Sequence, residues 1–412
     1  VDLAHAVLVL EGAYGQARVW CNGEPVATSD HYVTPLRVPL PDAETHRVVV
    51  ECRHPDHRFG GLYDTDKFPP ERCVPGIWWG ASVETYADPA VRTLSARPTL
   101  TGDGGAVHVR AAVATNEPLD DRLTFSLRPA GDVSGGGMMD RTRVETDAGR
   151  TTVSTTIDVR EPSLWWPHDR GEQSRYVVRA KVGGAEHSLT TGLRSVTYDE
   201  GLRVNGERVR ARGVTLDDPT VADVERAVDA NANLVRVRAQ GVAPAVATAC
   251  DERGVLLWAE LPLTGPGGFD VDRASELAAS MGREIGHHPS LACVSVHDEP
   301  VRPYADGLGS GLGDRLRFRL GAWRVSYDHA PAEAVAGEID GVPTFPVVGP
   351  PGIDPDAVTL YPGWQYGSVG DLPWLWDVLR GAGVHDGAPA MPVCIHHRSD
   401  RGRKCRRVPI RV

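Results

Sequence analysis

Lysine is almost missing from this chain of 412 residues: of 44 Lys and Arg side chains, only Lys67, Lys181 and Lys404 are lysine. Long apolar runs are missing too. Nothing approaches the roughly 18 residues of a membrane-crossing helix. Ala4–Leu10 is far shorter and leads into a strand-like pattern, not a cleavage site. No membrane partner is therefore expected. Cysteine is sparse: Cys21, Cys52, Cys73, Cys250, Cys293, Cys394 and Cys405 make an odd number without a CxxC pair. That argues against a disulfide framework and against a zinc site. Reduced thiols in a cytoplasmic protein are the simplest account. An initiating Met is also lacking, and the first residues read as the middle of a strand, so an upstream export signal stays open.

Basic stripes are absent from the body of the chain. The net charge is −11, although the end, His397–Val412, carries seven Arg and Lys against one Asp. The acidic remainder excludes phosphate-backbone recognition, and with it a nucleic-acid partner. An acidic, lysine-poor surface fits salt adaptation, and equally an arginine-favouring genome. His54, Asp56, His57 and Asp64 share a loop, but their spacing fits no standard metal site, so a solvated loop is expected there.

What is present divides into two grammars. Through residue 88, short strand patterns alternate with turn signals: Ala6–Leu10, Ala17–Trp20, Val48–Cys52 and Ala81–Tyr86, with Asn22-Gly23 as a hairpin turn. Residues 89–195 repeat the style at Val107–Ala114, Arg122–Leu127, Thr151–Val159, Tyr176–Val182 and His187–Thr191, with Ser134–Gly137 as a hairpin tip. Both stretches predict sandwiches. From about Val196 strands alternate with helices, the mark of a parallel sheet or barrel. The strand candidates are Arg212–Leu216, Leu234–Arg238, Val255–Leu261, Leu291–His297, Thr344–Val348 and Ala357–Leu360. Helices are expected at Val221–Ala230, Ala243–Arg253, Ala274–Ile285, Asp314–Tyr327 and Asp371–Arg380.

Several local motifs lie along this frame. Ala17–Val26 carries a Val-Trp-Cys-Asn-Gly hairpin, followed by Pro75-Gly76-Ile77-Trp78. Pro162-Ser163-Leu164-Trp165-Trp166-Pro167 precedes Gly171 and Gln173, and Thr191–Ser195 reads Thr-Gly-Leu-Arg-Ser. Asn205-Gly206 leads to Arg212-Gly213-Val214, then Asn233-Leu234-Val235-Arg236 and Cys250–Trp258. His288-Pro289-Ser290 precedes His297-Asp298-Glu299-Pro300. None is specific alone. In this order over roughly residues 6 to 380 they resemble glycoside hydrolase family 2, the β-galactosidases, β-glucuronidases and β-mannosidases.

The resemblance implies a multi-domain β plus α/β architecture. A jelly-roll-like, sugar-binding-like β-sandwich would span 1–88, incomplete at its start. An immunoglobulin-like β-sandwich would span 89–195, and strands one to six of a (β/α)8-type TIM barrel 196–383. Residues 384–412 would form an atypical basic tail. A barrel takes about 250 residues, so the catalytic domain is expected to be incomplete, through truncation or a frame shift. A genuine basic extension contacting an acidic partner is the alternative.

Retaining hydrolysis of a glycosidic bond uses two carboxyl groups about 5–5.5 Å apart, one acid/base and one nucleophile. By resemblance, Glu299 is the acid/base. From the residues alone it reads equally as a surface carboxylate before Pro300. An acid there needs a raised pKa to hold its proton near neutrality. Asp298 stands where the family has Asn, whose amide donates to the sugar 2-hydroxyl; an ionised Asp only accepts. The nucleophile belongs at the end of a seventh strand and is not found, since only Glu333 and Glu338 follow Glu299. Substrate-binding candidates are Arg236, Trp258, Glu260, His297 and Asp298, with Tyr361 and Trp364 as an aromatic platform. For each a structural role stands beside the functional one, and Trp165-Trp166 reads as sandwich core. The expectation is a retaining exo-β-glycosidase without cofactor or metal, acting on a carbohydrate. A non-catalytic carbohydrate-binding member is the alternative.

Overall fold

The computed structural model describes residues 5–375 except 56–58, 66–70, 72, 103, 132–136, 200, 302–310, 323–325, 351–352, 354, 360–367 and 372. Asp56, His57, Tyr361, Trp364, most of the Ser134–Gly137 tip, the end of the helix expected at Asp371–Arg380 and the basic tail 384–412 lie outside the described residues.

The first module is built of two three-stranded antiparallel sheets. In one, Ala6–Tyr14 lies between Leu36–Leu40 and Gly76–Thr85; in the other, Gln16–Cys21 lies between Glu24–Ser29 and Val48–Arg53. Leu10, Ala13, Ala17, Val19 and Val38 fill the space between them. Asn22 and Gly23 both have positive φ, 54° and 93°, as a two-residue hairpin turn with matching twist demands. The second module pairs a four-stranded sheet (Met138–Thr146, Leu119–Pro129, Tyr176–Val182, Ala185–Thr191) with a three-stranded one (Gly149–Arg160, Gly104–Thr115, Ala90–Thr101). Its core is aliphatic around Val109, Val113, Phe125 and Val178.

Three strands here escape the sequence pattern: Leu36–Leu40, Ala90–Thr101 and Met138–Thr146. Each is an edge strand. Edge positions tolerate proline and charge, and Pro39, Pro98, Asp140, Arg141 and Arg143 mask their strand character.

Six parallel strands follow in chain order across one sheet: Gly213–Leu216, Leu234–Val237, Leu256–Glu260, Leu291–Asp298, Thr344–Gly349 and Ala357–Val358. All six coincide with expected strands, with ends shifted by a few residues. The helices that cover them are α1 (Val221–Asp229), α2 (Pro244–Arg253) and α3 (Val271–Ile285). Thr220 and Asp223 form a capping box on α1, Pro starts α2, and the Asp270 carboxylate caps α3. The helix expected at Asp314–Tyr327 is α4 (Leu312–Ala322). The one that packs on the sheet is a seven-residue helix that the pattern does not reveal, α5 (Ala330–Ala336). Ala332 and Val335 alone enter the core from α5, too few positions to show a period. Leu312, Leu316 and Leu320 of α4 stay exposed.

The second module is joined to the floor of this sheet. Trp165, expected in the sandwich core, packs instead with Leu234, Leu256, Trp258, Cys293 and Phe345 beneath the barrel strands. Its indole N–H donates to the Asp251 carbonyl at 2.9 Å. Arg194 donates to the carbonyls of Pro289 and Leu291 at 3.0 and 2.6 Å. The Asp251 carboxylate accepts from His288 Nδ1 and the Ser290 N–H at 2.6 and 3.0 Å. Asn205 bridges the Ser195 N–H and the Trp165 carbonyl, and Asn233 ties the Arg212 N–H to the Asp169 carboxylate. Motifs scattered over 130 or so residues thus meet at one junction and act in assembly, by satisfying buried polar groups. Trp165→Ala should cost about 3–5 kcal/mol, the range for emptying a buried tryptophan site, read as a lowered urea midpoint for the barrel.

Candidate active site

The C-terminal ends of the parallel strands gather a buried set of charges. Residues two apart on a strand share a face, so Arg236 and Arg238 project from the second strand's end to the same side. Glu260 closes the third strand, Asp298 the fourth, and Glu299 follows it. Arg236, Arg238, Glu260 and Asp298 are each about 1% exposed and Glu299 5%.

Asp298 is the hub. Oδ1 accepts from Arg236 Nη2 at 3.0 Å. Oδ2 accepts from Arg238 Nε at 2.9 Å and from the Thr264 hydroxyl at 2.9 Å, with Arg238 Nη2 at 2.8 Å. Burial alone would push this carboxyl up, but Arg238 and Arg236 outweigh it and hold it below the usual range. Glu260 is the second anchor. Its Oε1 accepts from Arg236 Nε at 2.6 Å and from Ser295 Oγ at 2.8 Å, and its Oε2 from the Ala239 N–H at 2.7 Å. Burial pushes Glu260 up, while Arg236 opposes the rise.

Two arginines therefore face the carboxyl groups of Asp298 and Glu260, and Glu299 is a third acid with no arginine hydrogen bond among the described residues. Burial first and the Asp298 charge second push its carboxyl up to about 8, well above the ordinary carboxylate range. Its Oε1 accepts from the Thr359 hydroxyl at 3.0 Å. Its Oε2 is buried and has no hydrogen-bond partner among the described residues. A carboxyl raised this far, with one oxygen idle, can keep a proton near neutrality and has room to donate it. The backbone is strained where it turns out of the strands: Ala239 has φ 43° and Glu299 φ 49°, conformations that non-glycine residues keep only when their surroundings enforce them.

The remaining candidates have structural partners. Trp258 is 1% exposed, with Arg236 Cζ 4.5 Å above its ring and its N–H on Ser295 Oγ at 3.0 Å. It offers no open face to a sugar, which replaces the stacking reading with packing. His297 is fully buried; Nε2 donates to the Gly265 carbonyl and Nδ1 accepts from Tyr327 at 2.7 Å. Glu260 and Asp298 are both engaged by arginines, with Ser295 and the Ala239 N–H completing Glu260 and Thr264 completing Asp298. Glu333 lies in α5 and Glu338 just beyond it, both exposed and away from the strand ends. Among the described residues no group of His, Cys, Asp and Glu is arranged to hold a metal, and no helix is long and apolar enough to cross a membrane.

Three contributors went unread in the sequence. Arg238 was visible by strand period. Thr359 follows the sixth strand, where position was the only signal, and Thr264 sits in a loop with none. The first module also reaches the rim. The Leu62 N–H donates to the Ala239 carbonyl at 3.0 Å, and Tyr63 OH to the Asp217 carbonyl at 2.9 Å. A Cβ on Gly61 would lie 2.0 Å from the Ala239 oxygen, so only glycine permits this approach.

No protein-family model matches the chain. Among curated proteins, it is 28% identical over 205 residues to beta-mannosidase A of Aspergillus clavatus, covering 40% of the chain and 22% of that protein. It is 24% identical over 349 residues to beta-mannosidase B of Emericella nidulans, covering 69% of the chain and 40% of that protein. The match thus spans less than half the length of either relative. Among solved structures, the Bacteroides uniformis beta-glucuronidase superposes with TM-score 0.71 at 16% identity, over 92% of this chain and 50% of that one. The Dictyoglomus thermophilum beta-D-mannosidase superposes with TM-score 0.62 at 15% identity, over 83% and 48%. At these identities the superpositions speak for the fold: a barrel-like parallel sheet accompanied by β domains.

Glu299 is a stability liability. Its folded carboxyl titrates near 8 against an ordinary 4.5, so the folded state binds the extra proton. Its contribution is present below about 4.5 and lost as pH rises toward 8. Asp298, held low, acts oppositely, stabilising above its ordinary range and losing that as pH falls. Urea midpoints compared at pH 5 and pH 8 should therefore fall less for Glu299→Gln than for the wild type.

Proposed function

From membership of glycoside hydrolase family 2 as the starting point, we propose that the chain hydrolyses O-glycosidic bonds with Glu299 as the proton donor. The observation that carries this reading is the buried Glu299 carboxyl at a parallel strand's end, pushed up to about 8, with Oε2 unclaimed among the described residues. Donation passes a proton from Oε2 to the leaving oxygen, which takes the electron pair of its bond to the anomeric carbon. A carboxylate nucleophile then meets that carbon, and water releases the sugar with Glu299 now acting as base.

Asp298 and Glu260 have both oxygens engaged by donors, which supports placing the nucleophile on neither of them. Arg236 serves by holding those two carboxylates in register. Glycosidic bonds at a chain end, cleaved with retention, are the reaction type we assign. β-Mannosides are the first substrates to try, since the curated relatives are named beta-mannosidases. We assign the first module (1–88) as a jelly-roll-like sandwich, the second (89–195) as immunoglobulin-like, and 196–383 as the catalytic barrel. Cys21, Cys52, Cys250 and Cys293 are free thiols among the described residues, and we assign the chain a reducing, cytoplasmic setting.

One observation favours a second reading: Asp298 and Glu260, the carboxylates gathered beside Glu299, are both held by arginines. On that reading the chain binds carbohydrate without cleaving it. A panel of nitrophenyl β-glycosides, headed by the β-mannoside, separates the two. Turnover that falls by about 10²–10⁴ in Glu299→Gln, the usual worth of a general acid, supports hydrolysis. Sugar binding without turnover in the wild type supports the second reading and overturns the first.

A further inference from the structure

Glu299 and Thr359 hang from consecutive carbonyls of one strand. The Glu299 N–H donates to Val348 O at 2.8 Å, and the Thr359 N–H donates to Gly349 O at 2.9 Å. The fifth strand thus sets the spacing between the two side chains. From there the Thr359 hydroxyl, only 8% exposed, donates to Glu299 Oε1 at 3.0 Å. The other oxygen, Oε2, is buried without a partner among the described residues.

We propose that Thr359 is a positioning residue that decides which oxygen of Glu299 carries the proton. A hydroxyl has one proton to give. While it occupies the Oε1 lone pair, that oxygen is the acceptor and the acid proton sits on Oε2. There it has no acceptor, and an unmet buried donor is costly. The arrangement is relieved when an oxygen of the ligand arrives at Oε2. After the proton leaves, the same Thr359 bond lies on a carboxylate and strengthens. Thr359 thereby orients the acid before transfer and steadies the base after it. That the acceptor is a glycosidic oxygen rests on the function proposed above; which oxygen is protonated does not.

The test is a titration of the full chain labelled with ¹³C at glutamate Cδ, the Glu299 signal being the one missing in Glu299→Gln. Losing a hydrogen bond donated to the charged form disfavours that form. Thr359→Val and Thr359→Ala should therefore raise the Glu299 midpoint by about one unit, a tenfold change in acid constant, while Thr359→Ser leaves it in place. If Thr359→Val does not fold, the Ala and Ser variants decide. An unmoved midpoint in both hydroxyl-free variants overturns the proposal, as does an equal shift in Thr359→Ser. On nitrophenyl glycosides, Thr359→Val should lose more rate with poor leaving groups than with good ones, because only the former need the proton. A wild type without turnover sinks the hydrolase reading alone, because the titration still decides the role of Thr359.

Discussion

Asp298 lies 3.0 Å from Arg236 and 2.8 Å from Arg238, with all three side chains about 1% exposed. Taking such charges out of water costs several kcal/mol per ion, and the attraction between them offsets this only where the geometry is good and other lone pairs are met. Here they are met: Thr264 takes part of Oδ2, and Glu260 shares Arg236. The cluster joins the second, third and fourth strands at their C-terminal ends. A further carboxyl placed beside it ionises less readily: burial first and the Asp298 charge second push Glu299 up.

The same circumstance accounts for the departure at Asp298. This carboxylate turns inward to the arginines. Its Coulomb repulsion adds to burial in raising the Glu299 carboxyl.

The two sandwiches do different work. The second is bound into the barrel floor by Trp165 and Arg194, which donate to the carbonyls of Asp251, Pro289 and Leu291. The first touches the opposite end, where Leu62 and Tyr63 brace the loops after the second and first strands. The strained backbone at Ala239 is held partly from outside the barrel, by the Leu62 N–H on its carbonyl.

Much of the fold was legible in the chain because burial imposes a period. Strands closed in on both faces begin as apolar runs, Leu256–Ala259 and Leu291–Val294, and the Asn-Gly turn at Asn22 announced its hairpin by its backbone preference. Edge strands and the seven-residue α5 were illegible, since one exposed side or two buried positions leave no period to count. The order of motifs and the succession of Asp298 and Glu299 at a strand's end were determined by sequence alone. Tertiary structure decided what each side chain touches. Whether Trp165 fills a sandwich or a barrel floor, whether Trp258 stacks on sugar or lies under Arg236, and which oxygen of Glu299 Thr359 claims all depend on distances between residues remote in sequence. Local pattern carries no information on those distances; packing of strands and modules sets them.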